Sequence, residues 1–236
     1  IAAGAMGSLL MAPAKDLIKG KCPEFINLSR TDILEEIARL YLEAGADIIQ
    51  TNTFGGSPLK LSAYNLQDQT EEINRAAVQA VRKAVAVDGK AYVSASCGPS
   101  GKMLKPYGPV EPDELHQNFL RQLKAIIEAG VDIICVETMT DINEATSAVK
   151  AAKSISANIP VMATMTYDKT PRGFYTMMGV SVEKAANELE AAGADIIGSN
   201  CGNGIENMIL VAKEYKKFTS IPLIIQANAG LPVVKD

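Results

Sequence analysis

The stretch Glu43-Ala-Gly-Ala-Asp-Ile-Ile-Gln-Thr-Asn52 recurs with small changes as Glu128-Ala-Gly-Val-Asp-Ile-Ile-Cys-Val-Glu137 and as Ala191-Ala-Gly-Ala-Asp-Ile-Ile-Gly-Ser-Asn200. Each copy follows a segment with the apolar spacing of an amphipathic helix. Its glycine falls where a helix ends in the left-handed turn that glycine adopts at least cost. An apolar run begins two residues later and reads as a buried strand. The repeat therefore predicts a helix followed by a strand at three places in the chain.

Further apolar runs show little alternation with polar residues, which is typical of parallel strands that are covered on both faces. They span residues 91–96, 159–165 and 221–226. Together with a first strand or strand-end turn at Ala2 to Ser8, the sequence predicts seven strands, which begin near residues 1, 47, 91, 132, 160, 195 and 221. Amphipathic helices are predicted between them, at residues 69–87, 112–129, 143–154, 182–192 and 205–218.

Alternation of strands and helices over this length favours an α/β fold, the (β/α)8 TIM barrel. Such barrels have about 250 residues, or about 31 per unit, so the chain accommodates seven units. We therefore expect residues 1–236 to form a single barrel domain that is C-terminally incomplete and lacks its last strand-helix unit in this chain. A doubly wound open sheet is the alternative. However, Gly4-Ala-Met-Gly7 is too short for the glycine-rich phosphate fingerprint that usually follows the first strand of that fold.

Composition argues against several classes of partner. The chain has 23 lysines and arginines against 27 acids, a net charge of −4, so it has no positive field to attract nucleic acid or an anionic membrane. It contains no apolar run of about 18 residues and no basic, signal-like amino terminus. Its four cysteines are too dispersed for a disulfide scaffold. These features predict a cytoplasmic protein in a reducing compartment, with no nucleic-acid partner and no membrane partner.

Alignment of the three repeats predicts which side chains face the barrel interior. If Glu137 points inward, the period of two in a strand brings further residues of the repeats inward with it. They are Ile133 and Cys135, then Ile48, Gln50 and Asn52, then Ile196, Gly198 and Asn200. Asn52, Glu137 and Asn200 would then surround the carboxyl-terminal mouth, where barrel enzymes place their chemistry. The aspartates of the repeats, Asp47, Asp132 and Asp195, would lie at the opposite, structural end.

Two of the residues near the mouth could carry chemistry. Glu137 ends an apolar strand, where an unpaired carboxylate is costly to bury; its partner would be an arginine of a neighbouring loop or a substrate ammonium. Cys201, in the glycine-rich segment 198–204, would be a metal ligand or a nucleophile. The only histidine is His116, on a predicted helix, which disfavours a Cys–His pair. A catalytic zinc site needs three protein ligands, so Cys201 alone cannot complete one.

Six short motifs at predicted strand ends carry a resemblance to a known family. They are Gly4-Ala-Met-Gly-Ser8, Gln50-Thr-Asn-Thr-Phe54, Gly98-Pro-Ser-Gly101 with Pro106-Tyr-Gly108, Val136-Glu-Thr138, Ser199-Asn-Cys-Gly202 and Asn228-Ala-Gly-Leu-Pro232. In these motifs and in their order the chain resembles the homocysteine S-methyltransferase family. The similarity is greatest to the amino-terminal homocysteine-binding module of the cobalamin-dependent methionine synthases.

The resemblance implies a barrel mouth that binds zinc through three cysteines, with the homocysteine sulfur as the fourth ligand. It makes Cys201 the first metal ligand. It also implies that Glu137, the predicted catalytic residue, binds the amino group of homocysteine, and that the backbone at Gly4 and Ala5 binds its carboxylate. Asn52 and Asn200 are predicted to bind substrate from their places at the mouth. The implied methyl donor is methylcobalamin carried by another module or protein, or a smaller donor such as betaine or S-methylmethionine. A corrinoid- or folate-binding module is the implied partner besides homocysteine.

The chain departs from the family pattern at two points. The family's other two zinc ligands lie in a Gly-Gly-Cys-Cys segment beyond the Asn-Ala-Gly-Leu-Pro motif, and residues 1–236 do not include it. Ala3 stands where the family has an acid that contacts the substrate amine. Two alternatives therefore accompany the expected homocysteine methyltransferase: a corrinoid-linked methyltransferase with another donor or acceptor, and a catalytically silent scaffold domain.

Overall fold

The computed structural model describes residues 1–4, 6–10 and 22–230. Its main element is a six-stranded parallel sheet, whose strands pair in the order β1 Ile48–Gln50, β2 Tyr92–Cys97, β3 Ile133–Met139, β4 Val161–Met165, β7 Ile196–Asn200 and β8 Leu223–Gln226. A separate antiparallel hairpin consists of β5 Asp168–Thr170 and β6 Gly173–Tyr175. The curled sheet with its helices is a partial (β/α)8 barrel, which confirms the predicted fold class.

Eight α-helices occur in the described residues. They are α1 Met6–Leu10, α2 Thr31–Glu43, α3 Pro58–Leu61, α4 Thr70–Asp88, α5 Pro112–Glu128, α6 Ile142–Ile155, α7 Val182–Ala191 and α8 Ile205–Tyr215. Short 3-10 helices lie at Pro23–Leu28, Ser62–Tyr64 and Gln67–Gln69. The five helices predicted between strands are present with ends shifted by at most a few residues. The glycines of the repeat, Gly45, Gly130 and Gly193, all have positive φ, as expected after a helix end.

The main core lies between the outer face of the sheet and the helices. Alternate residues of each strand, such as Ile134 and Val136 of β3, are fully buried there. They pack with the apolar stripes of the helices, for example Phe119 and Leu123 of α5. The remaining residues of each strand face the barrel interior. This division fixes which side chains can reach the mouth.

The repeat aspartates lie at the amino-terminal ends of the strands, as predicted. Asp132 accepts a hydrogen bond from the backbone N–H of Val93 at 2.7 Å and pairs with Arg82 at 2.9 Å. Asp195 accepts one from Val161 at 2.7 Å and pairs with Lys153 at 2.7 Å. Each carboxylate thus ties the start of one strand to its neighbour, which is a structural role.

Of the two predictions for residues 2–8, a first strand or a strand-end turn, the strand is wrong. Only Ala2 forms a β-bridge, parallel to Ile48, and Ala3 donates its N–H to the Ile48 carbonyl at 2.7 Å. The chain then turns into α1, whose Leu10 is fully buried in a small second core with Ile26 of the 3-10 helix. Burial of that side chain favours a helical turn here over continued strand pairing. The sheet consequently has six strands and one bridge, where seven strands were predicted.

A large side cavity, about 1140 Å³, lies between the Ala2 bridge and β8, and Glu137 and Cys201 also line it. These two segments form the two edges of the sheet. In the described residues no helix is both long and apolar enough to span a bilayer.

Gly198 of β7 lets that strand approach β8 closely. A Cβ at this position would lie 1.8 Å from the Ile224 carbonyl oxygen, which is backbone and cannot move aside alone. Gly198→Ala is expected to lower the free energy of unfolding by about 2–3 kcal/mol, the upper range for overpacking. Urea denaturation measures the change. Gly7→Ala is the control, since its Cβ would meet no atom within 4 Å; equal losses in the two variants would contradict the packing argument.

Candidate functional site

The carboxyl ends of β1, β2, β3 and β7 and the 3-10 helix at Pro23–Leu28 surround a cavity of about 280 Å³, which we call the mouth cavity. It is lined by Met6, Gly7, Pro23, Glu24, Gln50, Thr51, Asn52, Phe54, Ser96, Glu137, Thr138, Asn200 and Cys201. Four predicted site residues, Asn52, Glu137, Asn200 and Cys201, therefore come together at one cavity. Gln50, Glu137, Asn200 and Cys201 also line the side cavity.

A β-bulge near the end of β3 places two consecutive side chains at the mouth. Val136 pairs with Ala163 of β4, but Met139 pairs with Met165, so β3 has one extra residue between these pairs. Thr138 in this segment has φ +60°. Bulges re-aim side chains next to active sites. Strict alternation would turn Thr138 away from Glu137, whereas both line the mouth cavity.

Glu137 is held by two polar neighbours. The Ser96 hydroxyl donates a short hydrogen bond to Oε1, and Gln50 Nε2 donates to Oε2 at 3.5 Å. Burial raises the pKa of Glu137, while the two hydrogen bonds act to lower it. No lysine or arginine of the described ranges forms an ion pair with this carboxyl group. A buried acid with donors but no cation can receive a ligand ammonium.

Asn200, at the end of β7, connects three strands. Its Oδ1 accepts from the Thr138 N–H and from the Thr164 hydroxyl, each at 2.8 Å. Its Nδ2 donates to Thr138 Oγ1 at 2.8 Å and to Cys201 Sγ at 3.4 Å. The side chain is buried, with 3% of its surface exposed. Its carboxamide thus lies directly behind the cysteine sulfur.

Cys201 follows β7 in a left-handed conformation with φ +57°, and its N–H donates to the Gln226 carbonyl at 3.2 Å. The residue is half-buried, unlike the buried Cys22, Cys97 and Cys135. Burial raises the pKa of the Cys201 thiol, and the Glu137 charge adds to this, while hydrogen bonds with Thr138 and Asn200 oppose it. Within the described ranges, no three His, Cys, Asp or Glu side chains are grouped as a metal site.

Asn52 lies on the other side of the mouth cavity and is fixed by Asn27. Its Nδ2 donates to Asn27 Oδ1 at 2.8 Å and to the Pro23 carbonyl at 3.0 Å, and Asn27 Nδ2 donates back to the Asn52 carbonyl at 2.8 Å. Both amide hydrogens of Asn52 are therefore engaged. Its Oδ1 is the atom left to accept a hydrogen bond from a ligand.

Gly4 lines the side cavity together with Glu137 and Cys201. Its carbonyl accepts a short hydrogen bond from the Tyr41 hydroxyl. Ala5, the other predicted backbone contact to substrate, lies outside the described residues. Ala3, where the resemblance implies an acid, is buried in the main core.

The sequence patterns do not identify Ser96 and Thr138 as site residues. The run at residues 91–96 indicates only a buried strand, although alternation puts its last serine on the same face as the interior of the barrel. Thr138 belongs to the motif Val136-Glu-Thr138, but the bulge that turns it to the mouth leaves no pattern in the apolar spacing. The available signal for Ser96 is a polar side chain at the end of a buried strand.

The chain is similar to known proteins over nearly all of its length. The family profile described as Homocysteine S-methyltransferase matches residues 1–236. The chain belongs to this family. Over 244 aligned residues it is 32% identical to methionine synthase of Mycobacterium tuberculosis and 31% identical to that of Mycobacterium leprae. Each alignment covers 98% of this chain but only 20% of the relative, so the chain spans about a fifth of the length of the curated relatives it matches.

Solved structures of the family share the fold. The crystal structure of the homocysteine methyltransferase MmuM from Escherichia coli in its metallated form aligns with a TM-score of 0.80 at 19% identity, covering 98% of this chain and 83% of that one. The oxidized form aligns with a TM-score of 0.75 at 18% identity, covering 93% and 81%. At these identities the similarity establishes the barrel architecture.

Proposed function

We propose that this domain binds homocysteine at the mouth cavity and methylates its sulfur to give methionine. The observation that carries the proposal is the convergence of Glu137 and Cys201, from different strands, on one cavity at the carboxyl pole of the sheet. Membership of the homocysteine S-methyltransferase family supports it. The chemistry needs an anion for the substrate ammonium and a soft donor near the substrate sulfur, and these two side chains supply them.

Each part of the substrate has a partner in the proposal. Glu137, held by Ser96 and Gln50, receives the amino group, and the hydrogen bonds keep its carboxyl oriented. The backbone at Gly4 and Ala5 receives the carboxylate; in the described residues the Gly4 N–H has no acceptor. Asn52 Oδ1 is available on the opposite wall of the mouth cavity. The substrate sulfur then lies towards Cys201.

Zinc fits Cys201 as a first ligand. The thiol is half-buried, lines the mouth cavity and already has a hydrogen-bond donor, Asn200, at its sulfur. The described residues supply this one donor, so a complete site takes its two further thiolates from other residues. A bound zinc ion would keep a thiol deprotonated at neutral pH, although a free thiol has a pKa of about 8.5. The sulfur would then attack the methyl carbon while the donor keeps the electron pair of the bond that breaks.

The methyl donor in this proposal is methylcobalamin carried by a partner module or protein. The mouth and side cavities both reach Glu137 and Cys201, so a large donor could approach the sulfur from the carboxyl pole. The similarity to two methionine synthases supports this donor over a small one. We also propose that residues 1–236 form one domain, since one main core extends from Ala3 to Tyr215.

The proposal is tested by assaying the natural polypeptide that contains residues 1–236 with zinc, homocysteine and methylcobalamin. Methionine formation that depends on all three supports it. Homocysteine binding without turnover would favour the silent scaffold. Turnover with another thiol or methylated amine, but not with homocysteine, would favour a different corrinoid-linked methyltransferase.

Ser96→Ala tests how Glu137 is held. Loss of the hydroxyl donor is expected to raise the pKa of Glu137, because that hydrogen bond lowers it. The ionised carboxylate binds the ammonium, so the acid limb of kcat/KM for homocysteine should move to higher pH. KM at neutral pH should rise as well, because a smaller fraction of Glu137 is then ionised. Ser94→Ala on the same strand is the control, and an unchanged pH profile in Ser96→Ala would contradict the role.

A further inference from the structure

We propose that Thr138 is a positioning residue that fixes the Cys201 sulfur, through the side chain of Asn200 and through its own hydroxyl oxygen, which lies 4.0 Å from Sγ. The inference rests on the proposed function, because it takes Cys201 as a metal ligand. It states that residues which do not themselves bind the metal orient the Cys201 sulfur. Thr138 and Cys201 lie on β3 and just after β7, and Asn200 bridges them. The hydrogen bonds among these three residues carry the argument.

The backbone of Thr138 adopts a conformation that its side chain disfavours. Its φ is +60°, and a β-branched residue in the left-handed region is a genuine outlier. Cys201, whose Sγ lies 4.0 Å from Thr138 Oγ1, is also left-handed at +57°. Such conformations cost of the order of 1–3 kcal/mol and persist where the surroundings over-determine them, often at functional sites. Here the outlier coincides with the bulge that turns Thr138 into the mouth cavity.

The conformation of Thr138 lets one residue hold both ends of the Asn200 carboxamide. Its N–H donates to Oδ1 and its hydroxyl accepts from Nδ2, each at 2.8 Å. Thr164 donates to the second position on Oδ1, also at 2.8 Å. An asparagine side chain offers two donors and two acceptor positions. The three bonds above use three of these four positions, and the fourth position, the second Nδ2 hydrogen, points to Cys201 Sγ at 3.4 Å.

All four positions of the Asn200 carboxamide are therefore used inside the protein. The group cannot rotate to meet a substrate without breaking at least two bonds with Thr138. The one Asn200 N–H that is directed towards the mouth cavity donates to the Cys201 sulfur. A donor in that position limits the rotamers of Cys201 and so orients its sulfur towards the mouth cavity. Asn200 is accordingly a positioning residue in this inference, and Thr138 holds it in place.

The test compares Thr138→Val with Thr138→Ser in the natural polypeptide that contains residues 1–236. Valine keeps the branched shape but removes the hydroxyl, while serine keeps the hydroxyl. Co2+ titration, followed by the thiolate-to-cobalt absorption, measures the metal site without turnover. Loss of a partner that orients a metal ligand costs about 10–100-fold in affinity. We expect at least a 10-fold weaker Co2+ affinity in Thr138→Val and wild-type affinity in Thr138→Ser.

The controls separate this inference from the proposed function. Melting curves show whether each variant folds, and Thr138→Ala replaces Thr138→Val if the latter does not. Absence of the absorption in the wild type, or an unchanged intensity and Co2+ affinity in Cys201→Ser, overturns the proposed function and this inference with it. If Cys201→Ser weakens both while Thr138→Val binds Co2+ like the wild type, only the positioning role is overturned. Equal weakening in the valine and serine variants would also overturn it, since it would reflect packing alone.

Discussion

Replacing Cys201 by serine is expected to abolish metal binding and homocysteine methylation while the barrel stays folded. Serine supplies a neutral hydroxyl where a soft metal ion prefers a thiolate. We therefore expect zinc affinity to fall by at least about 100-fold and methionine formation to fall to background. The residue is half-buried, and its main-chain bond to Gln226 does not involve the sulfur. The free energy of unfolding should change by less than about 1 kcal/mol, as for substitutions away from the core.

Metal content per chain, methionine formation and urea denaturation measure these three effects. Cys97→Ser is the matched control. Cys97 is buried, and its Sγ donates to Gln122 Oε1 at 3.5 Å, a bond that a serine hydroxyl can also make. The control should retain zinc and turnover. Cys201→Ser with a full zinc content would refute the ligand role.

The repeat predicted most of the barrel because three independent signals coincide in it. A helix stripe, a glycine at the helix end and an apolar strand all occur in each copy, and the structure has α2 before β1, α5 before β3 and α7 before β7. The aspartate also has the same role in two copies of the repeat. Asp132 and Asp195 each accept a hydrogen bond from a backbone N–H of the adjacent strand in the sheet. Local pattern and tertiary structure agree at these positions.

Prediction failed where non-local packing decides the local conformation. At the amino terminus, burial of Leu10 against Ile26 favours α1 over a longer strand. The β5–β6 hairpin was not predicted, because its strands have three residues each and β5 is largely exposed. A Pro-Arg-Gly turn at residues 171–173 was the available signal. Short exposed strands leave too little apolar pattern to be recognised.

At the mouth, strand alternation located Gln50, Glu137 and Asn200 but not their hydrogen bonds. Alternation gives the face of a strand on which a side chain lies, and these three do line the same cavities. The β-bulge in β3 interrupts the alternation at Thr138. This bulge is visible only in the pairing of β3 with β4 and not in the sequence of β3. The substrate-binding role of Asn52 and the metal role of Cys201 remain predictions that depend on the ligand. The predicted substrate contact of Asn200 is untested, and we propose a positioning role for this residue in its place.

Glu137→Gln is expected to weaken homocysteine binding by about 100-fold or more. Truncation of one partner of a buried charge pair costs about 2–5 kcal/mol, because the other charge is left unpaired. The amide keeps the shape of the side chain and can still accept the hydrogen bond from Ser96, while the 3.5 Å bond from Gln50 loses its acceptor. The loss should therefore appear mainly in the homocysteine Kd and KM, with less change in kcat. Isothermal titration calorimetry and steady-state kinetics measure it.

The same substitution is expected to stabilise the fold. Burial raises the pKa of Glu137 above its ordinary value of 4.5, so the folded state holds the proton more tightly than the unfolded state. The stability that the protonated group contributes is fully present below that value and is lost as the pH rises through the folded pKa. Glutamine cannot ionise, so the Glu137→Gln variant does not lose this stability as the pH rises. The gain in the free energy of unfolding over the wild type should therefore grow as the pH rises from 4.5 through the folded pKa.

Glu144→Gln separates the two effects. Glu144 is also buried with a raised pKa, and it accepts hydrogen bonds from the hydroxyl and the N–H of Ser100 at 2.5 and 2.8 Å. It lines a different cavity from Glu137. We expect the same pH-dependent gain in stability with unchanged homocysteine binding. If neither carboxylate binds a ligand, Glu137→Gln and Glu144→Gln should both gain stability and both bind homocysteine normally. Normal homocysteine binding by Glu137→Gln would therefore contradict the role of Glu137 as the partner of the substrate ammonium.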